Sequence, residues 1–268
     1  MTVSARSFLF VPGDRPERFQ KAWDSGADAV ILDLEDGVPP DRKSFAREAV
    51  AGWLSPDRPV FVRVNGERTE WFSEDVRAVA HPGLRGVVLP KAETADQVAK
   101  VARMIPEGAC VLPLVETAAG VLNARELAGA PRVERLIFGA IDLQLDAGIQ
   151  GEGEELLYAR SRLVLISRVV GILPPVDGVT TVIDDPEPLA SDVDRARRLG
   201  FGGKLCIHPK QVAPVNRGFM PSEREISWAR KVVEAVRTAG LGPIRVDGEM
   251  VDLPVVERAK AILERSGK

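Results

Sequence analysis

Apolar residues along this chain fall in short runs separated by longer stretches of mixed polarity. The runs are SFLFVP (7–12), DAVILDLE (28–35), PVFVRVN (59–65), RGVVLPK (85–91), ACVLPLVE (109–116), RLIFGAID (135–142), PPVDGV (174–179) and GGKLCIHP (202–209). Several are continuously apolar and rich in β-branched residues, as strands buried on both faces of a parallel sheet are. The stretches between them, such as TADQVAKVARMI and EPLASDVDRARRLG, repeat their apolar residues at a helical period. Eight such units predict an α/β protein built from βα repeats. Eight also favours closure into a (β/α)8 TIM barrel over an open doubly wound sheet. No Gly-rich dinucleotide fingerprint argues for the open sheet.

Beyond the eighth run, PSEREISWARKVVEAVRTAG opens with a capping box, Ser222 and Glu225, and closes at Gly240. A turn-rich segment, LGPIRVDGEMVDLP, and a final helix, VVERAKAILERSG, follow. We therefore expect a barrel over 1–240 and a C-terminal helical lid over 241–268. The length of 268 residues suits one barrel of about 250 residues with a small addition. A net charge of −3 gives no nucleic-acid footprint, yet a locally basic pocket would still admit a small anionic substrate. No run approaches the roughly 20 apolar residues of a membrane span, and the first run is too short for a secretory signal. Cys110 and Cys206 lie in apolar runs, where small buried residues are expected rather than a disulfide. A cytoplasmic, reduced setting is the expectation.

In a barrel of this kind, polar residues at the carboxyl ends of strands form the usual catalytic set. Nearly every run ends in one: Asp14 and Arg15 after the first, then Asp33, Glu35 and Asp36, Arg63 and Asn65, Lys91, Glu116, Asp142, Asp177 and His208. Charged groups buried at a barrel mouth are costly unless paired or bound to a metal. Glu116 and Asp142, on successive runs, are placed to share one cation. Oxygen-only ligation points to Mg2+ or Mn2+ rather than zinc; two salt-bridged acids are the alternative. Arg63 interrupts an apolar strand, where it would hold a substrate carboxylate in bidentate fashion or pair with Asp33 or Glu35. Arg15 reads as a solvated loop residue, His208 as a hydrogen-bonded structural histidine, His81 as a loop residue, and Lys91 as a charge partner.

The ordered series FVPGDRPERF, VILDLEDGV, VRVNG, LPKAE, PLVETAAGVLNA, GAIDL, YARSRLV, VDGV and GFGGKLCIHPKQVAPVN resembles the citrate lyase β-subunit group of the HpcH/HpaI aldolase superfamily, which includes malyl-CoA and citramalyl-CoA lyases. The resemblance spans nearly the whole chain and reaches VDGEMVDLP in the tail. It implies a TIM barrel, a homotrimer or hexamer, and Mg2+ held by Glu116 and Asp142. It implies that Arg63 binds a keto-acid carboxylate, that Arg15 lies near a CoA thioester, and that Glu35 and Asp36 line the site. Asp252 matches a lid aspartate that enters a neighbouring subunit's site, and is the candidate base. Lys91 is a further candidate for substrate contact. The implied activity makes or breaks a 3-hydroxyacyl-CoA from a keto acid and acetyl-CoA. A β subunit acting on an acyl-carrier thioester, a class II aldolase on a free hydroxy-keto acid, and a non-catalytic scaffold are the alternatives. Ile141 in GAIDL, and the segments QLDAGIQGEGEEL and VTTVIDDPEPL, depart from the group's usual pattern.

Overall fold

The computed structural model describes residues 5–239 and 244–266. Eight parallel strands close into a barrel in sequence order: β1 (Ser7–Pro12), β2 (Ala29–Asp33), β3 (Val60–Arg63), β4 (Leu84–Leu89), β5 (Cys110–Val115), β6 (Ile137–Phe138), β7 (Val176–Asp177) and β8 (Gly203–Cys206), with β8 pairing back onto β1. Helices follow the strands, as the run-and-helix alternation predicts. The barrel interior holds alternate strand residues: Phe8, Ala29, Ile31, Phe61, Val88, Leu112, Leu114, Ile137, Val176 and Leu205 form one buried cluster. The intervening residues, such as Val30, Leu32, Val62, Val87 and Val111, are also buried, on the side that the helices cover. Burial of both faces is why these strands read as unbroken apolar runs.

The strand periods decide what reaches the mouth. Ala29, Ile31 and Asp33 share the inward face of β2; Phe61 and Arg63 share that of β3. The register of the pair sets Ile31 beside Phe61 and Asp33 beside Arg63. The carboxyl-terminal turn of each strand thus exchanges an apolar core residue for a charged one.

Two expectations about the mouth need correction. The sixth run does not stay extended to Asp142, because β6 stops at Phe138 and the helix Ala140–Ala147 begins at once. Asp142 therefore projects from the first turn of a helix. Asp177 does not face the mouth at all. Val176 takes the inward position of β7, so Asp177 points outward and is fully buried, with Arg160 Nε at 3.0 Å and Lys204 Nζ at 4.0 Å. Lys204 also donates to the Gly178 carbonyl at 2.7 Å. This is a structural web beneath the helices.

The chain divides into two compact units, one within Ser4–Asn216 and one within Arg217–Lys268. The second contains the helix Glu223–Ala239, the antiparallel strands β9 (Ile244–Val246) and β10 (Glu249–Val251), and the helix Leu253–Ser266. Its core is Ile226, Ala229, Val232, Val246, Val251, Val256, Ala259 and Ile262. The capping box forms: Ser222 Oγ accepts the Glu225 N–H, and Glu225 Oε2 accepts the Ser222 N–H. The expected helix stop at Gly240 lies outside the described residues. Among the described residues, no helix is long and apolar enough to cross a membrane.

Candidate active site

Asp33 and Arg63, brought level by the β2–β3 register, form a side-on bidentate pair: Nε and Nη2 each donate to a different Asp33 oxygen at 2.7 Å. Such fork-on-fork pairs are the stronger class of charged contact. Arg63 Nη1 lies 2.8 Å from Glu35 Oε2, and the guanidinium sits 4.7 Å from the centre of the Phe10 ring. Burial disfavours its charge, but Asp33, Glu35 and Glu116 outweigh that and raise its pKa further. Asp33 is itself fixed by the backbone N–H groups of Glu35 at 2.9 Å and Gly37 at 3.0 Å. The pairing expected as one alternative for Arg63 is therefore realised. Two of its five N–H groups are committed to Asp33, and the Nη1 contact with Glu35 is an ion pair in which Oε2 accepts no hydrogen bond, so N–H groups on the side away from Asp33 remain for a substrate.

Lys91, just past β4, adopts a left-handed backbone with φ of 48°. Such a conformation is uncommon for a residue with a side chain. It turns the Lys91 N–H onto Glu116 Oε1 at 2.8 Å. The same residue's ammonium lies 2.8 Å from Glu35 Oε1, 3.7 Å from Asp142 Oδ1 and 3.9 Å from Asp36 Oδ2. Lys91 thus ties four acids together, and its pKa is raised because Glu35 and Glu116 outweigh the cost of partial burial.

Glu116 follows β5 and is buried, whereas Asp142 is about one-third exposed and stands in the first turn of its helix, where a negative charge is favoured. Burial, reinforced by Glu35 and Asp142, pushes the Glu116 carboxyl up to about 8. Burial likewise raises Glu35, opposed by Arg63 and Lys91. Gly139 makes room for this arrangement. A Cβ there would stand 2.5 Å from Glu116 Cβ and 2.6 Å from Glu116 Oε2.

These groups line a cavity of about 390 Å3 that includes Asp33, Asp36, Arg63, Glu116 and Asp142. The residues fit a small hard dication. Their donors are all oxygen, burial and then the neighbouring Glu35 and Asp142 raise the Glu116 carboxyl so that a cation would relieve it, and Gly139 leaves space beside its Oε2. Among the described residues, no group of three or more His, Cys, Asp or Glu is arranged to hold a metal alone. A cation here would complete its shell with water or substrate oxygens, as Mg2+ commonly does.

Other candidates lie apart. Arg15 is exposed, with its Nε 3.9 Å from Asp14 Oδ1, and stands apart from the acid cluster. Asn65 is drawn away by Lys43 and Asp75, at 2.7 and 2.6 Å. His208 Nδ1 accepts the Lys210 N–H at 3.1 Å, a local structural role. In the second unit, Asp252 caps the helix Leu253–Ser266: its Oδ1 accepts the Val255 N–H at 3.2 Å. Asp33 and Gly139 are the site residues that the reading of the sequence undervalued. The alternation Ala-x-Ile-x-Asp in β2 is the signal that finds the first; nothing in the sequence alone singles out the second.

A barrel mouth holding an Arg–Asp pair and clustered acids is shared by many enzymes, so the decisive observation is the match of residues 6–209 to the family model for HpcH/HpaI aldolase/citrate lyase. This chain belongs to that family. Its relatives include the citrate lyase subunit beta-like protein of Deinococcus radiodurans, 40% identical over 96% of each chain. The (3S)-malyl-CoA thioesterase of Cereibacter sphaeroides is 35% identical, covering 97% of this chain and 94% of its own. Among solved structures, CitE of Mycobacterium tuberculosis in complex with magnesium, acetoacetate and coenzyme A superposes with a TM-score of 0.89 at 36% identity, covering 100% of both chains. Within the HpcH/HpaI family, this chain is a lyase-type enzyme of the citrate lyase β kind.

Proposed function

We propose that this protein makes or breaks the carbon–carbon bond of a 3-hydroxyacyl-CoA of the malyl-, citramalyl- or citryl-CoA type, yielding a 2-oxo acid and acetyl-CoA, with Mg2+ held by Glu116 and Asp142. The observation that carries this reading is the oxygen-only acid pair beside Arg63, in a family whose solved member binds magnesium, acetoacetate and coenzyme A. Mn2+ meets the same donor set. When bound, the cation supplies Lewis-acid polarisation of the oxo group and neutralises charge that develops on oxygen.

The chain's own residues do the rest. Arg63, locked by Asp33, offers N–H groups not committed to Asp33 to the 2-oxo acid carboxylate and so fixes its orientation. Lys91 and Glu35 keep Glu116 and Asp142 in place, and Asp36 at the rim lines the way in. Lys91 also has an ammonium near enough to the acids to meet a substrate oxygen. Arg15, exposed near the mouth-forming end of β1, is assigned to the thioester oxygen, where its charge stabilises an enolate. In the condensing direction Asp252 takes the proton from the acetyl-CoA methyl group. Its carboxylate is exposed, and the lid over 241–268 is assigned to the site of a neighbouring copy in a trimer or hexamer.

A second reading is hydrolysis of the thioester, favoured by the relative named (3S)-malyl-CoA thioesterase. Incubating the protein with Mg2+, acetyl-CoA and a panel of 2-oxo acids tests both. A lyase forms a hydroxyacyl-CoA from acetyl-CoA and one of the acids. A thioesterase acting alone releases free CoA thiol and forms no such product.

A further inference from the structure

The mouth of the barrel is divided. Charged groups come from β2, β3, β5 and the helix Ala140–Ala147: Asp33, Asp36, Arg63, Glu116 and Asp142. The remainder of the wall is apolar and comes from the other side, with Phe10 on β1, Val179 just after β7, Leu205 on β8, and Ile207 beyond it; Leu114 closes the floor and Ile141 the rim. Phe10, Leu114, Val179 and Leu205 are continuous with the barrel core, so this wall is the exposed top of that core.

Arg63 is the one basic residue among those described as lining the cavity, and Asp33 and Glu35 already match its charge. A 2-oxo acid brings one carboxylate, which the free N–H groups of Arg63 accommodate. Its oxo group would be directed to the side of Glu116 and Asp142, which would hold the cation. The substituent on the oxo carbon is then left facing Val179, Leu205, Ile207 and Ile141. A carboxylate there would meet no cation or hydrogen-bond donor side chain among these four wall residues, and moving a charge from water against an apolar wall without a partner is costly. An alkyl group would instead gain by leaving water.

We propose that the site selects 2-oxo monocarboxylic acids with an alkyl substituent and rejects 2-oxo dicarboxylic acids, with Val179, Leu205, Ile207 and Ile141 as the residues that set this preference. The inference rests on the carbon–carbon lyase reading above and narrows it to 3-alkyl-3-hydroxyacyl thioesters. The bond formed is between the acetyl methyl carbon and the oxo carbon. The methyl proton leaves to a base, and the oxo oxygen gains a proton as its electron pair becomes the hydroxyl, so no oxidant or further reactant is needed.

The test is condensation with acetyl-CoA and Mg2+, comparing kcat/KM for glyoxylate, pyruvate, 2-oxobutyrate and oxaloacetate with the intact protein. Pyruvate and 2-oxobutyrate should exceed oxaloacetate by at least about 100-fold, the scale expected for an unpaired buried charge. Pyruvate should exceed glyoxylate by about tenfold, the usual worth of one methyl group in an apolar pocket. Val179→Lys places an ammonium on the apolar wall and should shift the oxaloacetate-to-pyruvate ratio upward by at least about tenfold, a ratio that a general loss of activity leaves unmoved. Val179→Leu, which keeps the wall apolar, should leave the ratio within about threefold of wild type. Oxaloacetate turned over as well as pyruvate by the wild-type protein overturns this inference while leaving the lyase reading intact. No condensation with any of the four acids overturns the lyase reading and this inference with it.

Discussion

The carboxyl of Glu116 should couple cation binding to pH. Burial beside Glu35 and Asp142 pushes it up to about 8, against 4.5 for the ordinary group. At pH 6 only about 1% of the cation-free protein then carries the ionised ligand, and that fraction rises to about 9% at pH 7 and about 50% at pH 8. Apparent Mg2+ affinity should rise about 50-fold from pH 6 to pH 8 and only about twofold more above it. At pH 6 each Mg2+ bound should expel close to one proton, and at pH 9 almost none. Stability follows the same linkage. The folded, cation-free protein binds a proton that the unfolded chain releases, so its stability falls as pH rises from about 4.5 to about 8 and is then flat. The shift of about 3.5 units corresponds to a loss on the order of 5 kcal/mol across that window. Saturating Mg2+ should remove most of the slope. Titration calorimetry at pH 6, 7, 8 and 9, in buffers of different ionisation enthalpy, reads affinity and proton release together. Glu116→Gln should weaken Mg2+ binding and abolish its pH dependence without unfolding the barrel. Affinity that is flat from pH 6 to pH 8, with no buffer-dependent heat, would refute the reasoning.

Three further outcomes follow from single contacts. Arg63→Lys keeps the charge but loses the fork that grips Asp33 at 2.7 Å, so kcat/KM should fall at least about tenfold and the melting temperature by several degrees, measured by steady-state kinetics and calorimetry. Gly139→Ala pushes a methyl into Glu116, so Mg2+ affinity by calorimetry should drop at least about tenfold while circular dichroism still shows a folded barrel. Asp252→Asn retains the oxygen that caps the helix, so its melting point should stay close to wild type; condensation should nevertheless be lost while Mg2+ still binds. Mixed oligomers of Asp252→Asn with Glu116→Gln should regain activity if the lid serves a neighbouring copy, and verified mixtures without activity would reject that assignment.

The barrel was legible because burial on both strand faces leaves continuous apolar runs; seven of the eight runs contain the observed strand, and the fourth lacks only the strand's first residue, Leu84. Boundaries were less so. RLIFGAID reads as one run, yet β6 keeps only Ile137–Phe138, because Gly139 adopts an extended conformation and the chain then enters a helix. Asp177 looked like a mouth residue because position along a strand was weighed without its parity; the inward place belongs to Val176. The Arg63–Asp33 pair was available from parity plus parallel register. The hairpin in the tail was signalled too. Apolar residues flank an Asp-Gly pair in IRVDGEMV, and Asp247-Gly248 takes positive φ at both central positions, 52° and 88°, as an Asp-Gly turn between twisted strands requires. What no pattern in the sequence conveys is the convergence of Lys91 on four acids, since it depends on a left-handed backbone at a residue with a full side chain.

The most direct measurement of the central claim is a product analysis. A 3-alkyl-3-hydroxyacyl-CoA, the thioester formed from pyruvate and acetyl-CoA, is incubated with the protein and Mg2+, and the products are followed by chromatography, alongside the same reaction with Glu116→Gln. The account predicts pyruvate and acetyl-CoA in equal amounts, with no free CoA thiol, and sharply less of both from the variant. Release of free CoA with the hydroxy acid intact, or equal cleavage by Glu116→Gln, would contradict it.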